Sequence, residues 1–392
     1  MSSKFSEWMS NIRDDCIGYD LERMAIHCAE LQDVLPEVDF RFAIKACPQP
    51  VLLNHIARSG MGFDIASVQE LDLALRAGVS VERIHFGNTI KSAKSIQYAY
   101  RRGIRDFVTD SVEDLLNIAQ FARGSRVFCR IYGTGEGALW GLKDKFGCSP
   151  EDAVSLLIKA KALNLVPAGI SVHVGSQQLL PEVWKSTFDQ LALLQHQLLM
   201  SGIQPLYFNL GGGLPASGYK YPNGEKMQTN WPLTVQFIQQ GIEQLRHVGG
   251  KSLHFMMEPG RSIVADFGVL RCHVVRFSER VSANGDKVFW LYLSAGRFNG
   301  LYEADALQYE LHFPGHSAAS EHVPAILAGP TCDSDDVINK GQHKIAVPKH
   351  LREGDPVWFL SCGAYSSSYA TAFFNGFTPL PVKYPGSEEH RL

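Results

Sequence analysis

The sequence predicts an α/β fold: a closed, TIM-like (β/α)8 barrel followed by a mostly antiparallel β domain. Three observations predict it. From about residue 20 to 260, eight short apolar runs alternate with amphipathic helical stretches. Such alternation is the pattern of a parallel sheet, and a count of eight favours closure into a barrel. After about residue 265 the helical period fades, and β-rich runs such as "KVFWLYLSAG" and "DPVWFLSCG" are separated by turn residues. The chain of 392 residues, 45% hydrophobic and 20% charged, is long enough for a large core and a second domain.

Taken in order, the barrel strands are expected at 40–44, 62–65, 84–86, 106–108, 125–132, 168–174, 205–210 and 253–257. The helices between them include "SVQELDLALRAG" (67–78), "SVEDLLNIAQFA" (111–122) and "SPEDAVSLLIKAKAL" (149–163). Each opens with Ser and carries an acid three residues later, the signature of an N-cap. Gly78 reads as a C-cap. The expected domains are an N-terminal segment, 1–20, pairing with the C-terminal sheet; a barrel over 21–265; and a β domain over 266–392.

The net charge of −3 favours neither nucleic acid nor an anionic membrane as a partner. No apolar run reaches the roughly 18–20 residues of a membrane span. The opening "MSSKFSEWMSNIRDD" has no apolar core of a secretory signal. The eight cysteines form no CxxC pair. That spacing argues against structural zinc, no other metal site is expected, and reduced thiols in a cytoplasm are.

Active residues of such a barrel gather at the C-terminal ends of its strands. Lys45, Asp64, Asn88, Arg130, His173, Gly211–Gly213, Glu258 and Arg261 all fall there. Lys45 ends the apolar run "FRFAIK" where burial is expected, and a buried ammonium is costly unless paired or used as a nucleophile. "NLGGGLP" (209–215) is either a turn or a phosphate cradle. His173 in "SVHVGSQ" is either a satisfied core residue, a base, a metal ligand or a flat face for a planar cofactor. Ser176, three residues on, can add a hydroxyl to a phosphate. Glu258 and Arg261 in "EPGRSIV" are either a structural ion pair or partners for a pyridinium and a phosphate. "LAGPTCDSDDV" (327–337) is a turn with solvated acids, a metal site with no histidine near, or a reactive thiol beside a carboxylate. Tyr365 in "GAYSSSY" is a packed aromatic or a phenol for phosphate.

Together, "FAIKAC", "GFDIAS", "SVHVGSQ", "NLGGGLP", "EPGRSIV", "GPTCDSDD" and "GAYSSSYATAFFNGF" resemble the fold-type III, pyridoxal-phosphate-dependent amino-acid decarboxylases. The closest likeness is to ornithine decarboxylase and its relatives for lysine, arginine and diaminopimelate, over roughly residues 18–380. The resemblance implies PLP as cofactor and a covalent bond between Lys45 and its aldehyde, with Asp64 keeping that lysine in place. It implies His173 stacked on the ring, Glu258 on the pyridine nitrogen, and Arg130 near the cofactor. Ser176, Gly211, Gly212, Gly213, Arg261 and Tyr365 are implied to hold the phosphate, and Gly260 to bind the cofactor. It further implies a cytoplasmic homodimer of polyamine-type metabolism with shared sites. There Cys332 reprotonates Cα and Asp333 contacts the distal amine of a basic, ornithine-like amino acid.

The pattern departs from the family in three places. Phe42 stands where Tyr is common. Ser294-Ala295-Gly296-Arg297 replaces an Asn/Asp–Gly strand end, so the acid reading the distal amine is Glu303, Asp305 or Glu310, with Glu303 the choice. Arg297 is expected either to face solvent or to serve a second carboxylate. "EPGRSIV" and "HVGSQ" lean towards the diaminopimelate branch, and "GPTCDS" towards the ornithine branch. A diaminopimelate or conjugated-diamino-acid decarboxylase, a racemase on the same barrel and a non-catalytic regulatory homologue are the alternatives.

Overall fold

The computed structural model describes residues 1–141, 145–281, 284–317 and 319–387. They form two compact units: residues 25–215 with 229–261, and residues 1–24 with 216–228 and 262–392.

The first unit is a closed barrel of eight parallel strands. In chain order they are β1 (Val38–Ala43), β2 (Gly62–Ile65), β3 (Ile84–Phe86), β4 (Asp106–Thr109), β5 (Arg126–Arg130), β6 (Val166–Ser171), β7 (Tyr207–Asn209) and β8 (His254–Met257). Each strand pairs with its neighbour in this order, and β8 returns to β1. The expected strands all exist, within a few residues at their ends. The helices start where hydroxyls stop the chain: Ser67, Ser111 and Ser149 accept the backbone N–H of Glu70, Asp114 and Asp152. Gly78 ends one of them at φ +83°, a left-handed conformation that glycine adopts without a Cβ penalty.

Alternation along the strands sorts the side chains. Phe42 and Phe63 are register partners with rings 6.4 Å apart. The next register step aligns Ala43, Asp64 and His85 across β1, β2 and β3 on the other face. Val108, Phe128, Ala168 and Met256 form a buried cluster drawn from β4, β5, β6 and β8.

In the second unit, Gly268–Val281 is the central long strand. It pairs antiparallel with Lys287–Leu293, Pro356–Phe359 and the N-terminal Cys16–Tyr19. The sheet is antiparallel except where His322–Ala328 joins Lys287–Leu293 and Val382–Lys383 joins Cys16–Tyr19. Phe5, Met9, Val269 and Trp358 pack beneath it. None of the eight cysteines is in a disulfide, and among the described residues no helix is long and apolar enough to cross a membrane.

Candidate active site

The barrel gathers its polar side chains at the strand ends. Strand β1 stops at Ala43 because a 3-10 turn, Ile44–Ala46, follows it, with Pro48 just beyond. Lys45 sits on that turn, and its side chain is 47% exposed, against the expectation of burial. The turn lifts Lys45 out of the apolar run, while Ile44 and Ala46 on either side stay buried. Its Nζ lies 3.6 Å from Oδ2 of buried Asp64 on β2. Burial and the nearby Glu258 charge push the Asp64 carboxyl up, against the pull of Lys45. Asn88 is not part of this group: it braces its own loop, donating to the Ala66 carbonyl at 3.2 Å and accepting from Ile90 N–H.

His173 follows β6. Its Nδ1 accepts the backbone N–H of Gly175 at 3.0 Å, which leaves Nε2 as the protonated nitrogen. Burial, then the charges of Arg130 and Lys45, push its pKa down to about 3. The ring is therefore neutral at ordinary pH, a flat surface rather than a cation. Gly211–Gly213 follow β7. Gly211 has φ +66° and Gly213 φ +123°, values that L side chains rarely adopt. A Cβ on Gly212 would press on His173 Nε2 at 3.0 Å. The triglycine thus brings backbone against the histidine ring. After β8, the Glu258 N–H donates to the Gly211 carbonyl at 2.7 Å, and Pro259 accepts from Ala43 N–H at 3.0 Å. A Cβ on Gly260 would meet that of Ala46 at 3.0 Å. Arg261, 4% exposed, donates from Nε to Ser176 Oγ at 3.3 Å and stacks on Trp140 at 4.3 Å. Arg130, at the end of β5, stacks on Phe146 at 4.9 Å.

Glu258 is the most constrained group. Its Oε1 lies 2.6 Å from His85 Nε2 and accepts from Asn209 Nδ2 at 2.5 Å. Burial alone would raise its pKa; the contacts from His85 and the Lys45 charge, with the Asn209 hydrogen bond, outweigh it and hold the carboxyl below the usual range. Sequence reading assigned no role to His85 or Asn209. The available signal was a histidine at the centre of "IHF", one register step from Asp64, and an asparagine directly before the glycines. Asp64, His85 and Glu258 also place their ligand atoms within 4.8 Å of one another. The 2.6 Å between Nε2 and Oε1 is a hydrogen-bond distance and leaves no room for a cation between those two atoms.

The remaining candidates belong to the second unit. Tyr365 is half-buried at φ +55° and packs on Tyr369 at 5.3 Å. Arg297 neither faces solvent nor offers a free cation: 13% exposed, it binds Asp305 at 2.7 Å and the Asp335 carbonyl at 2.7 Å. That pairing occupies Asp305. Glu310 is 57% exposed and lies 3.8 Å from Lys220. Glu303 is buried on a 3-10 turn. Cys332 and Asp333 are exposed on a loop tied down by buried Asp336, which accepts from Arg297 N–H, Thr331 N–H and Thr331 Oγ1 at 2.7–3.0 Å. Cys332 N–H donates to Asn375 at 3.0 Å.

Residues 21–265 match the family described as pyridoxal-dependent decarboxylase, pyridoxal binding domain. The chain belongs to that family. It is 31% identical over 357 residues to a diaminopimelate decarboxylase of Pseudomonas fluorescens, covering 84% of this chain and 78% of that one. It is 29% identical over 361 residues to the ornithine decarboxylase of Schizosaccharomyces pombe, covering 89% and 78%. Among solved structures, the arginine decarboxylase of Paramecium bursaria Chlorella virus superimposes with a TM-score of 0.86 at 25% identity, over 98% of this chain and all of that one. The lysine/ornithine decarboxylase of Vibrio vulnificus, complexed with cadaverine, does so at 0.83 and 26%, over 98% and 100%.

As a pyridoxal-dependent decarboxylase, the chain is an enzyme that uses PLP. Its residues fit that group. PLP offers a phosphate, a pyridine nitrogen and an aldehyde. Against these stand a buried arginine beside a hydroxyl and a glycine run, an anionic carboxylate, and a lysine at the barrel mouth. Asp64 Oδ1 is enclosed with no hydrogen-bond partner, a buried acceptor of the kind that a bound group satisfies.

Proposed function

We propose that this decarboxylase removes the α-carboxylate of a basic, ornithine-like L-diamino acid as carbon dioxide and releases the amine. The observation that carries the reading is Glu258, a buried carboxylate held anionic by two donors where a ring nitrogen needs an acceptor. Bound PLP supplies an electron sink for the bond that breaks.

The chain's residues then have separable tasks. Lys45 would offer its amine to the cofactor aldehyde, with Asp64 orienting it. His173 would offer its neutral, flat face to the ring. Ser176, Gly211, Gly212, Gly213, Arg261 and Tyr365 would bind the phosphate, Gly260 and Arg130 would stand near the cofactor, and Glu258 would accept from the pyridine nitrogen. Cys332 returns a proton to Cα. Asp333 and Glu303 bind the distal amine. Glu303 is preferred because Asp305 is already neutralised by Arg297 and Glu310 is mostly exposed. The same Arg297–Asp305 pair favours a diamino acid over diaminopimelate, because Asp305 already balances the Arg297 charge that a second carboxylate would need.

The working unit is a homodimer with shared sites, acting in the cytoplasm on polyamine-type metabolites. Support for the dimer comes from Tyr302, Tyr369, Phe373, Phe374 and Phe377, which are 36–76% exposed, an apolar surface that a second copy would cover. Neither nucleic acid nor membrane is a partner in this reading. Carbon dioxide release from ornithine, lysine, arginine, diaminopimelate and shorter diamino acids tests the substrate. Release from diaminopimelate alone would overturn the substrate class. Cα inversion without release would mark a racemase, and a purified protein that takes up no PLP would mark a non-catalytic homologue.

A further inference from the structure

His85 is fully buried at the centre of β3, and its two ring nitrogens face different groups. Nδ1 faces Arg41 Nη1 at 3.3 Å. A guanidinium can only donate, so Nδ1 must present a lone pair. The ring proton then lies on Nε2, the nitrogen 2.6 Å from Glu258 Oε1. Arg41 is itself immobilised. Its Nε donates to Asp39 at 2.9 Å, Nη2 donates to the Glu82 carbonyl at 3.2 Å, and Nη1 lies 3.7 Å from Asp106. Asp106 is clamped in turn by Arg126 at 2.5 and 2.9 Å. A relay of oriented donors therefore runs from Arg41 through His85 to Glu258.

Asn209 completes it. Its Oδ1 accepts Gly211 N–H at 2.9 Å, which points Nδ2 at the same Glu258 oxygen. Both lone pairs of Oε1 are thereby used, and Oε2 is left for other work. The other charged groups around this point are Asp64, whose Oδ1 is 3.5 Å from His85 Nε2, and Lys45 and Arg130, whose charges also act on Glu258 and Asp64.

We propose that His85 is a positioning residue that, as an Nε2–H donor fixed by Arg41, keeps Glu258 anionic and aimed, so that the pyridine nitrogen of PLP holds the proton shared between them. A donor on a carboxylate lowers its proton affinity, so removing it moves that proton towards Glu258. This inference rests on the proposed pairing of Glu258 with the ring nitrogen.

The test is the ring-nitrogen NMR shift of holoenzyme loaded with ring-15N PLP at pH 7.5, in the wild type, H85L, H85Q and E258Q. The expected wild-type signal is that of a protonated ring. H85L moves it towards the unprotonated value and lowers kcat about tenfold with KM little changed, as for one lost oriented interaction. H85Q, which retains an N–H near the same place, restores both. A wild-type ring signal in H85L, or H85Q displaced as far as H85L, overturns the role of His85. An unmoved signal in E258Q overturns the Glu258 pairing instead. Should H85L not fold, histidine-15N labelling of wild-type holoenzyme decides, with His85 assigned by its loss in H85Q. The proton must sit on Nε2 and not Nδ1; the opposite tautomer or a doubly protonated ring overturns the proposal.

Discussion

In the barrel, Glu258 accepts two short hydrogen bonds inside a shell of buried side chains, and each donor is held by another residue. In the second unit, Cys332 and Asp333 stand exposed on a loop, held by Asp336 beneath it, by Asn375 on the Cys332 N–H and by the Asp335 N–H on Asp333 Oδ1. The surroundings of Glu258 are preorganised within the barrel, where a low dielectric strengthens every oriented dipole. Of the groups proposed to meet the substrate, Cys332 and Asp333 stand on an exposed loop, while Glu303 is buried on a 3-10 turn. The proposed roles therefore predict two kinds of failure: barrel substitutions should act on the cofactor, loop substitutions on the product and the substrate preference.

Lys45→Ala carries the largest expected effect. Turnover falls on the order of 10³-fold or more, and the visible absorption of bound PLP is lost; retained colour and turnover would remove Lys45 from the reaction. Cys332→Ala comes next, with turnover down about 10²-fold, the scale of a lost general acid, or diverted to a product of wrong protonation. PLP absorption stays unchanged in this variant. If cofactor binding weakens as well, the two ends are not separable and the contrast between them fails. Glu303→Gln raises KM for a diamino acid about tenfold, the scale of one lost charged contact, and leaves PLP binding alone. If kinetics with ornithine and lysine do not change, another acid reads the distal amine.

The smallest effect is on stability and tests the barrel alone. An unfolded histidine titrates near pH 6.5, whereas folded His173 does so at about 3. Between those values the unfolded chain binds a proton that the folded chain refuses. Stability therefore falls as pH drops from about 6.5 towards 3, by up to ~1.4 kcal/mol per pH unit for this one proton. Above about 6.5 the penalty is absent. The depressed carboxyl of Glu258 adds its own loss only below the ordinary carboxylate range near 4.3. Urea unfolding of His173→Phe between pH 6.5 and 5 should show a flatter slope than wild type; an equal slope would mean that His173 is protonated in the fold.

The sequence by itself determined the barrel, the second β unit and most of the cofactor-end candidates. Eight apolar runs, serine N-caps and glycines at strand ends are local signals, and each depends on residues close in the chain. Strand ends converge because a closed parallel barrel puts all of them at one mouth. Tertiary structure alone decided what each group faces. His85 carries no assignable role in the linear sequence until register sets it beside Asp64 and brings Glu258, 173 residues away, within hydrogen-bond reach. Lys45 reads as buried until the 3-10 turn lifts it out. Arg297 reads as exposed until Asp305 and the Asp335 carbonyl fold against it. Protonation, tautomer and pairing follow from distances between residues far apart in sequence, and linear spacing carries no record of those distances.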